Sequence, residues 1–226
     1  VAAATSLSVA PELAGRVRLG LLLLEDVAVR EADAGLAAEL AAYCGELRAR
    51  FGGTRSAEVP GAAEARALYK ALGLDPTKTR PSSEALLRRV LKGEALYTIN
   101  TAVDALNLCS LRAQLPFGLY DFDRVTPPLV LRSGNAGEGY EGIRKGFVGV
   151  EGRPVLADAA GPFGNPTSDS ARSSVTLATR RLLVVVYAPA GLAPARLEAV
   201  LDDTAATLAR SCGGMLAERR LVPPPA

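Results

Sequence analysis

The stretch that most constrains the fold is Ile99 to Asp123, INTAVDALNLCSLRAQLPFGLYDFD. Asn100 is a good helix cap, and Ala102, Leu106, Cys109 and Ala113 fall on one apolar helical face. Pro116-Phe117-Gly118 reads as the turn that closes the helix ahead of an acidic, aromatic exit. Asp104 and Asn107 are three residues apart and so share another face. A helix of this kind either holds a ligand against a sheet with its two short polar groups or is a core helix whose Asp and Asn bond to loop backbone.

The residues that are missing narrow the chemistry. The chain has no histidine, which removes Ser-His-Asp and Cys-His catalysis, imidazole acid–base chemistry and His metal ligation. Cys44, Cys109 and Cys212 are far apart, with no C-x-x-C pair. They argue against a zinc site or a disulfide framework and fit a reducing cytoplasm. No metal and no cofactor is expected. The formal net charge of +2 gives no strongly basic footprint of the kind shown by proteins that read a nucleic-acid backbone. Arg far exceeds Lys and Ala is abundant, which a GC-rich genome explains as readily as selection for guanidinium contacts. The longest early apolar run, Leu19 to Leu24, is too short to span a bilayer, and no charged n-region precedes it. Neither a membrane partner nor a secretory signal is expected.

With 226 residues and 49% apolar content the chain can bury a sizeable core. Residues 1–14 are expected as an N-terminal arm, 15–215 as one folded domain and 216–226 as a Pro-rich tail. Arg16 to Val29 reads as a strand, and Ala32 to Phe51 as a helix stopped by Gly52-Gly53. Helices follow over Pro60 to Leu72 and Ser82 to Leu91. Arg88 and Lys92, one turn apart on the latter, form either a solvated face or a phosphate contact. Leu129–Arg132, Pro154–Ala157 and Ser174–Tyr187 are strand candidates; the β-branched run Leu182 to Val186 has the character of a strand buried on both faces. Ser133–Gly146 and Ala159–Ser173 read as long Gly-rich loops, and loops this long are usually functional or disordered. Pro194 to Cys212 is a final amphipathic helix. This order predicts an α+β fold, a mixed or antiparallel sheet core packed by helices, rather than regular βαβ alternation. Gly134 to Gly139 is no phosphate loop, because it lacks the following Lys-Ser/Thr.

The blocks N-T-A-V-D-A-L-N (from Asn100), L-P-F-G-L-Y-D-F-D (from Leu115) and V-L-R-x-x-x-x-G-E (from Val130) resemble the B3/B4-type editing domain of the β-subunit of bacterial phenylalanyl-tRNA synthetase. LADAAGPFGN and SSVTLATRRLLVVVYAP are similar to later blocks of the same family, so the likeness runs over roughly Tyr69 to Pro189. It implies an editing-domain-like fold and a free-standing, trans-acting aminoacyl-tRNA deacylase. Its partner would be the aminoacylated 3′ end of tRNA, with a small amino-acid ligand as a further possibility. By motif, Asn107 matches an asparagine of the family's editing pocket, and Gly164 and Asn165 fall at its small-residue turn. The family's pocket histidine is Gly118 here, and its pocket glutamate falls at Val185. A group that hydrogen-bonds a phenol is thereby replaced by apolar positions, which points to an aliphatic or aromatic apolar side chain as substrate.

An aminoacyl ester is activated, and its hydrolysis needs a positioned water and dipoles for the developing oxyanion, not an imidazole. The resemblance and the loop chemistry together single out Asn107 and Asp169 as catalytic. Asp104, Gly118, Gly164, Asn165, Thr167, Ser168, Ser170 and Val185 are assigned to substrate, with the loop's backbone N–H groups around Gly161, Gly164 and Ser168 as an anion-binding concavity. Arg88, Lys92 and Arg172 are assigned to RNA phosphates. Two other readings stay open. One is a non-catalytic module that binds an amino acid, a nucleotide or charged RNA. The other is an unrelated hydrolase using Asp104 or Asp169 as base.

Overall fold

Strand β10 (Leu182–Pro189) lies at the centre of the molecule, a computed structural model that describes residues 5–223. It pairs antiparallel with β2 (Val17–Glu25) on one side and β3 (Phe117–Asp121) on the other, and β11 (Met215–Val222) adds to the far edge of β2. Its continuous apolar run follows from having a core on each face. Leu182, Val184, Val186 and Ala188 pack with helices α4 (Thr101–Ala113) and α5 (Pro194–Cys212). Leu183, Val185 and Tyr187 pack the other way, onto a second sheet. Each such aliphatic side chain contributes about 1.5–3 kcal/mol by burial, so this strand does much to fix how the layers stack.

The second sheet has the order β1 (Leu7–Val9), β4 (Leu129–Ser133), β7 (Pro154–Asp158), β8 (Gly161–Asn165), β9 (Ser168–Asp169). A short hairpin, β5 (Gly139–Glu141) with β6 (Phe147–Gly149), stands beside it. Of the remaining helices, α1 (Ala34–Phe51) and α3 (Ser82–Leu91) pack on α4, and α2 (Ala62–Ala71) packs on β10 beside the core shared by the two sheets. A separate small core of Cys44, Leu47, Leu87, Val90 and Leu111 ties α1 and α3 to α4. The fold is α+β with antiparallel and mixed sheets, as the order of elements predicts.

Several expectations need correction. Pro116-Phe117-Gly118 is not the turn. Helix α4 ends one step earlier, at Gln114 in a left-handed conformation (φ 56°), and Phe117-Gly118 already belongs to β3. The Ala159–Ser173 loop is the β8–β9 hairpin followed by one 3-10 turn, and Ser133–Gly146 contains the first strand of the β5–β6 hairpin. Ser174–Arg181 is irregular, so β10 starts only at Leu182. Residues 216–222 of the expected tail form β11, whose charged residues sit on an exposed sheet edge, where charge protects against unwanted pairing. Within the expected arm, Leu7–Val9 runs parallel to β4. Residues 1–4 and 224–226 of the arm and tail lie outside the described residues.

Candidate functional site

Helix α4 and the β8–β9 hairpin meet across a cleft of about 530 Å³. Asn107 of α4 and Thr167 of the hairpin turn line it, with Ser82, Arg88 and Lys92 of the α3 segment, Lys145 of the β5–β6 turn, and Tyr97. Asn100 starts α4 by accepting from the N–H groups of Ala102 (3.1 Å) and Val103 (3.0 Å), which sets the rotation that turns Asn107 outward. Asn107 is half-buried and makes no side-chain hydrogen bond among the described residues. The buried Ser82 Oγ at the same cleft also lacks a partner. A smaller pocket of about 150 Å³ opens beside the cleft, with Leu74, Val148, Pro154 and Pro166 as its apolar lining and Thr79, Arg153, Asn165 and Ser168 as its polar lining, and shares Lys145 and Thr167 with it.

The hairpin turn is rigid by its own hydrogen bonds. Asn165 Oδ1 accepts from the N–H groups of Thr167 (2.8 Å) and Ser168 (2.9 Å), and its Nδ2 donates to Tyr140 Oη (2.9 Å). Tyr69 Oη donates to the Pro166 carbonyl (2.9 Å) and lies 2.8 Å from Thr167 Oγ1. Tyr140 Oη donates to the Ser168 carbonyl at 2.5 Å. Of the N–H groups expected to form an anion-binding concavity, that of Ser168 is already spent on Asn165, and the nearby Ser170 N–H is spent on the Phe163 carbonyl (2.9 Å). A donor that does face the cleft beside this turn is the Lys145 ammonium, 3.4 Å from Ser168 Oγ.

Below this cleft the space is filled. Gly118, Gly164 and Val185 lie in the core between the two sheets, and Gly118 pairs with Val185. A Cβ on Gly118 would stand 2.2 Å from Tyr120 Oη, and one on Gly164 would stand 2.4 Å from the same atom. The two glycines therefore exist to admit the Tyr120 phenol. It is fully buried, packs edge-on to Phe163 (4.9 Å between centroids) and bonds Tyr187 Oη at 3.1 Å. The chain's own tyrosine fills the place assigned to ligand at Gly118 and Val185.

Asp169 lies in this layer too. Its Oδ1 is buried without a hydrogen-bond partner, and it is not among the residues lining either cavity. Burial pushes its carboxyl up to about 7, against the pull of the Tyr120 hydroxyl, the Leu119 N–H and Lys145. It in turn helps hold Tyr120, Tyr140 and Tyr187 above the usual phenol range, an effect second to burial.

Other predicted site residues do separate work. Asp104 accepts from the Ile99 N–H (3.0 Å) and opens onto a different cavity, beside α1; burial raises its carboxyl. The 60° between positions three apart on a helix is enough to part it from Asn107. Ser170 Oγ accepts from the Arg172 N–H (3.1 Å) and caps the 3-10 turn. Arg172 is bidentate to Asp158, at 3.0 Å for both bonds, and also donates to the carbonyls of Arg124 (3.0 Å) and Gly161 (3.3 Å). It is an internal clamp rather than a free cation. Burial raises the Asp158 carboxyl, but Arg172 and the N–H groups of Thr126 and Ala160 outweigh that and hold it below the usual range. Arg88 and Lys92, by contrast, are exposed, line the cleft and form no ion pair among the described residues. Sequence reading missed Lys145, Tyr97 and Ser82. Ser82 reads from sequence only as part of the polar helix start with Arg80, Ser83 and Glu84, and only the fold brings the three to Asn107.

Three buried free cysteines and no cluster of metal-binding side chains are found among the described residues. No helix is long and apolar enough to cross a membrane. The model of the B3/4 domain family matches residues 64–213. No curated protein matches the chain. Among solved structures, an N-terminal fragment of the phenylalanyl-tRNA synthetase β-subunit from Pyrococcus horikoshii is similar, at 13% identity and a TM-score of 0.45. The likeness covers 95% of this chain and 50% of that one, so the chain spans about half the length of the fragment.

Proposed function

The chain belongs to the B3/4 domain family, and from that premise we propose that it is a deacylase that hydrolyses the ester of mischarged tRNA supplied in trans. The observation that carries this reading is the meeting of Asn107 with Lys145 and Thr167 across one cleft that has a small apolar side pocket. The amino acid's side chain enters the pocket between Leu74, Val148, Pro154 and Pro166, whose room of about 150 Å³ suits an aliphatic or small aromatic group. Asn107 holds the ester group and orders the attacking water. The Lys145 ammonium faces the carbonyl oxygen, where negative charge develops. Water oxygen bonds to the carbonyl carbon, the bond to the ribose oxygen breaks, and that oxygen takes up a proton. The products are a free amino acid and uncharged tRNA.

The test offers the purified chain a panel of tRNAs mischarged with apolar amino acids. Deacylation is expected for those that fit the pocket, with Asn107→Ala slowing it about 10²-fold, as for loss of a group that positions ester and water. No turnover on any member removes the reading. Full activity of Asn107→Ala removes the site.

One observation favours a second reading, a non-catalytic module for aminoacyl-RNA or a free amino acid. The carboxylate lining the cleft, Glu94, is paired with Arg89 at 3.2 Å, so among the described residues no unpaired carboxylate lines the cleft. Calorimetry showing tight amino-acid binding without turnover selects it.

A further inference from the structure

The outer face of α3 is shared by two concavities. The cleft lies on one side; on the other is a basin of about 460 Å³, and Arg80, Arg88 and Lys92 line both. We propose that α3 is a ridge crossed by the single-stranded end of an RNA, with backbone phosphates seated in the second basin and one base stacked on Tyr97. This deepens the deacylase reading, on which it rests for the placement of the terminal residue in the cleft.

Charge is the first support. Seven cationic side chains line the two concavities together (Arg55, Arg66, Arg80, Arg88, Arg89, Lys92 and Lys145), against the two carboxylates Glu84 and Glu94. That surplus of five sits on a chain whose net charge is +2, so the rest of the surface is acidic on balance. A weak total thus conceals a concentrated field, which draws polyanions to one place.

Availability is the second. Arg66 and Arg80 are fixed on the buried Glu84, at 2.8 and 3.4 Å, and serve as a scaffold. Arg88 and Lys92 are exposed and unpaired among the described residues. Arg55 is held only by Glu58 three residues on, with both side chains largely in solvent, a kind of pair that is weak and easily exchanged for a phosphate. Thr54 adds a hydroxyl at the same basin, whereas those of Ser56 and Thr77 donate to Glu84 (3.1 Å) and Asp75 (2.6 Å).

Tyr97 is the third. It is 68% exposed, lines the cleft, and carries the Arg89 guanidinium 4.4 Å above its ring. Burying an aromatic ring elsewhere would be favourable, yet this one is presented, backed by a cation on one face and open on the other. That is a stacking platform for a base, and alternation of such platforms with cations is how single strands are gripped without sequence readout. A lone phosphate would fill one basin and leave the ring unused.

The experiment is fluorescence anisotropy of the full chain with a short, uncharged, single-stranded RNA between about 50 and 200 mM salt. Contact with three or four phosphates gives a slope of log affinity against log salt of about −2 to −3, at about 0.7 for each phosphate. Arg55→Ala and Lys92→Ala each flatten the slope by about 0.7. Tyr97→Ala weakens binding about 5- to 100-fold and leaves the slope unchanged. All three side chains are exposed, and unaltered melting temperatures confirm that the variants fold. Inorganic phosphate or a mononucleotide binding as tightly as the oligonucleotide, or duplex RNA binding more tightly, overturns the proposal. So does an Arg55→Ala slope equal to that of the wild type. Because the RNA is uncharged, the outcomes separate: the predicted slopes without deacylation discard only the hydrolysis, whereas deacylation with an unmoved Arg55→Ala slope discards only the ridge.

Discussion

Asp169→Asn should change how stability depends on pH. Asp169 sits among the hydroxyls of Tyr120, Tyr140 and Tyr187, with Lys145 the charged group closest in influence, and its Oδ1 has no hydrogen-bond partner. Burial raises its carboxyl from the usual 3.8 to about 7. Between those two values the native state keeps a proton that the unfolded chain has released. The native state then binds more protons, so stability falls as pH rises through this window and levels off above it. The full drop is about 4 kcal/mol, at about 1.4 kcal/mol per pH unit mid-window. The neutral amide of Asp169→Asn removes this dependence while keeping the shape. Urea denaturation of both proteins at intervals from pH 4 to pH 8 measures the difference. The stability of the variant relative to wild type should climb by about 4 kcal/mol across the series. Parallel curves, or a difference that runs the other way, would falsify the claim that burial of this carboxyl outweighs the pull of Tyr120, Leu119 and Lys145.

Three further outcomes follow from the packing. Gly118→Ala places a methyl 2.2 Å from Tyr120 Oη, and overpacking of this kind costs about 1–3 kcal/mol; thermal unfolding should register it, and a Tyr120→Leu background should remove most of the cost. Arg172→Gln leaves the fully buried Asp158 side chain without its bidentate partner, which should cost about 2–4 kcal/mol in urea denaturation with no change in RNA affinity, because Arg172 is an internal clamp. Val148→Phe fills the side pocket and should lower kcat/KM for apolar aminoacyl-tRNAs about 10- to 200-fold, while binding of uncharged RNA stays as in wild type.

What was legible in the sequence was local. The Asn100 cap, helices over Ser82–Leu91 and Pro194–Cys212, and the doubly buried run from Leu182 each depend on neighbours within a few residues, and each stands where the pattern puts it. Three kinds of feature were not legible. The β8–β9 hairpin is built from Gly, Pro, Asn and Ser, which have low strand propensity, and it pairs because β7 offers an edge. The last strand, MLAERRLV, has no clean alternation because it lies at a solvent-exposed edge. The cleft depends on side chains 15 to 85 positions apart, from Ser82 and Tyr97 to Lys145 and Thr167, that no spacing rule connects.

Tyr120 shows how the consequence of a motif departure can be misread from sequence. Replacing a family histidine by Gly118 and a glutamate by Val185 reads, from sequence, as a pocket that has become larger and apolar. Yet a glycine beside a strand tyrosine two residues on frees a space that the tyrosine itself can occupy, since positions i and i+2 share a face. Gly164, opposite, gives way to the same phenol. The three residues therefore form one packing unit, and the loss of two polar groups is matched by a hydroxyl pair, Tyr120 with Tyr187, at 3.1 Å. On the deacylase proposal, discrimination between amino acids moves outward, to the rim where Lys145 and Thr167 join the cleft to the pocket beside Val148. Substitutions at Gly118 or Val185 should accordingly act on stability, and substitutions at Val148 or Leu74 on substrate choice.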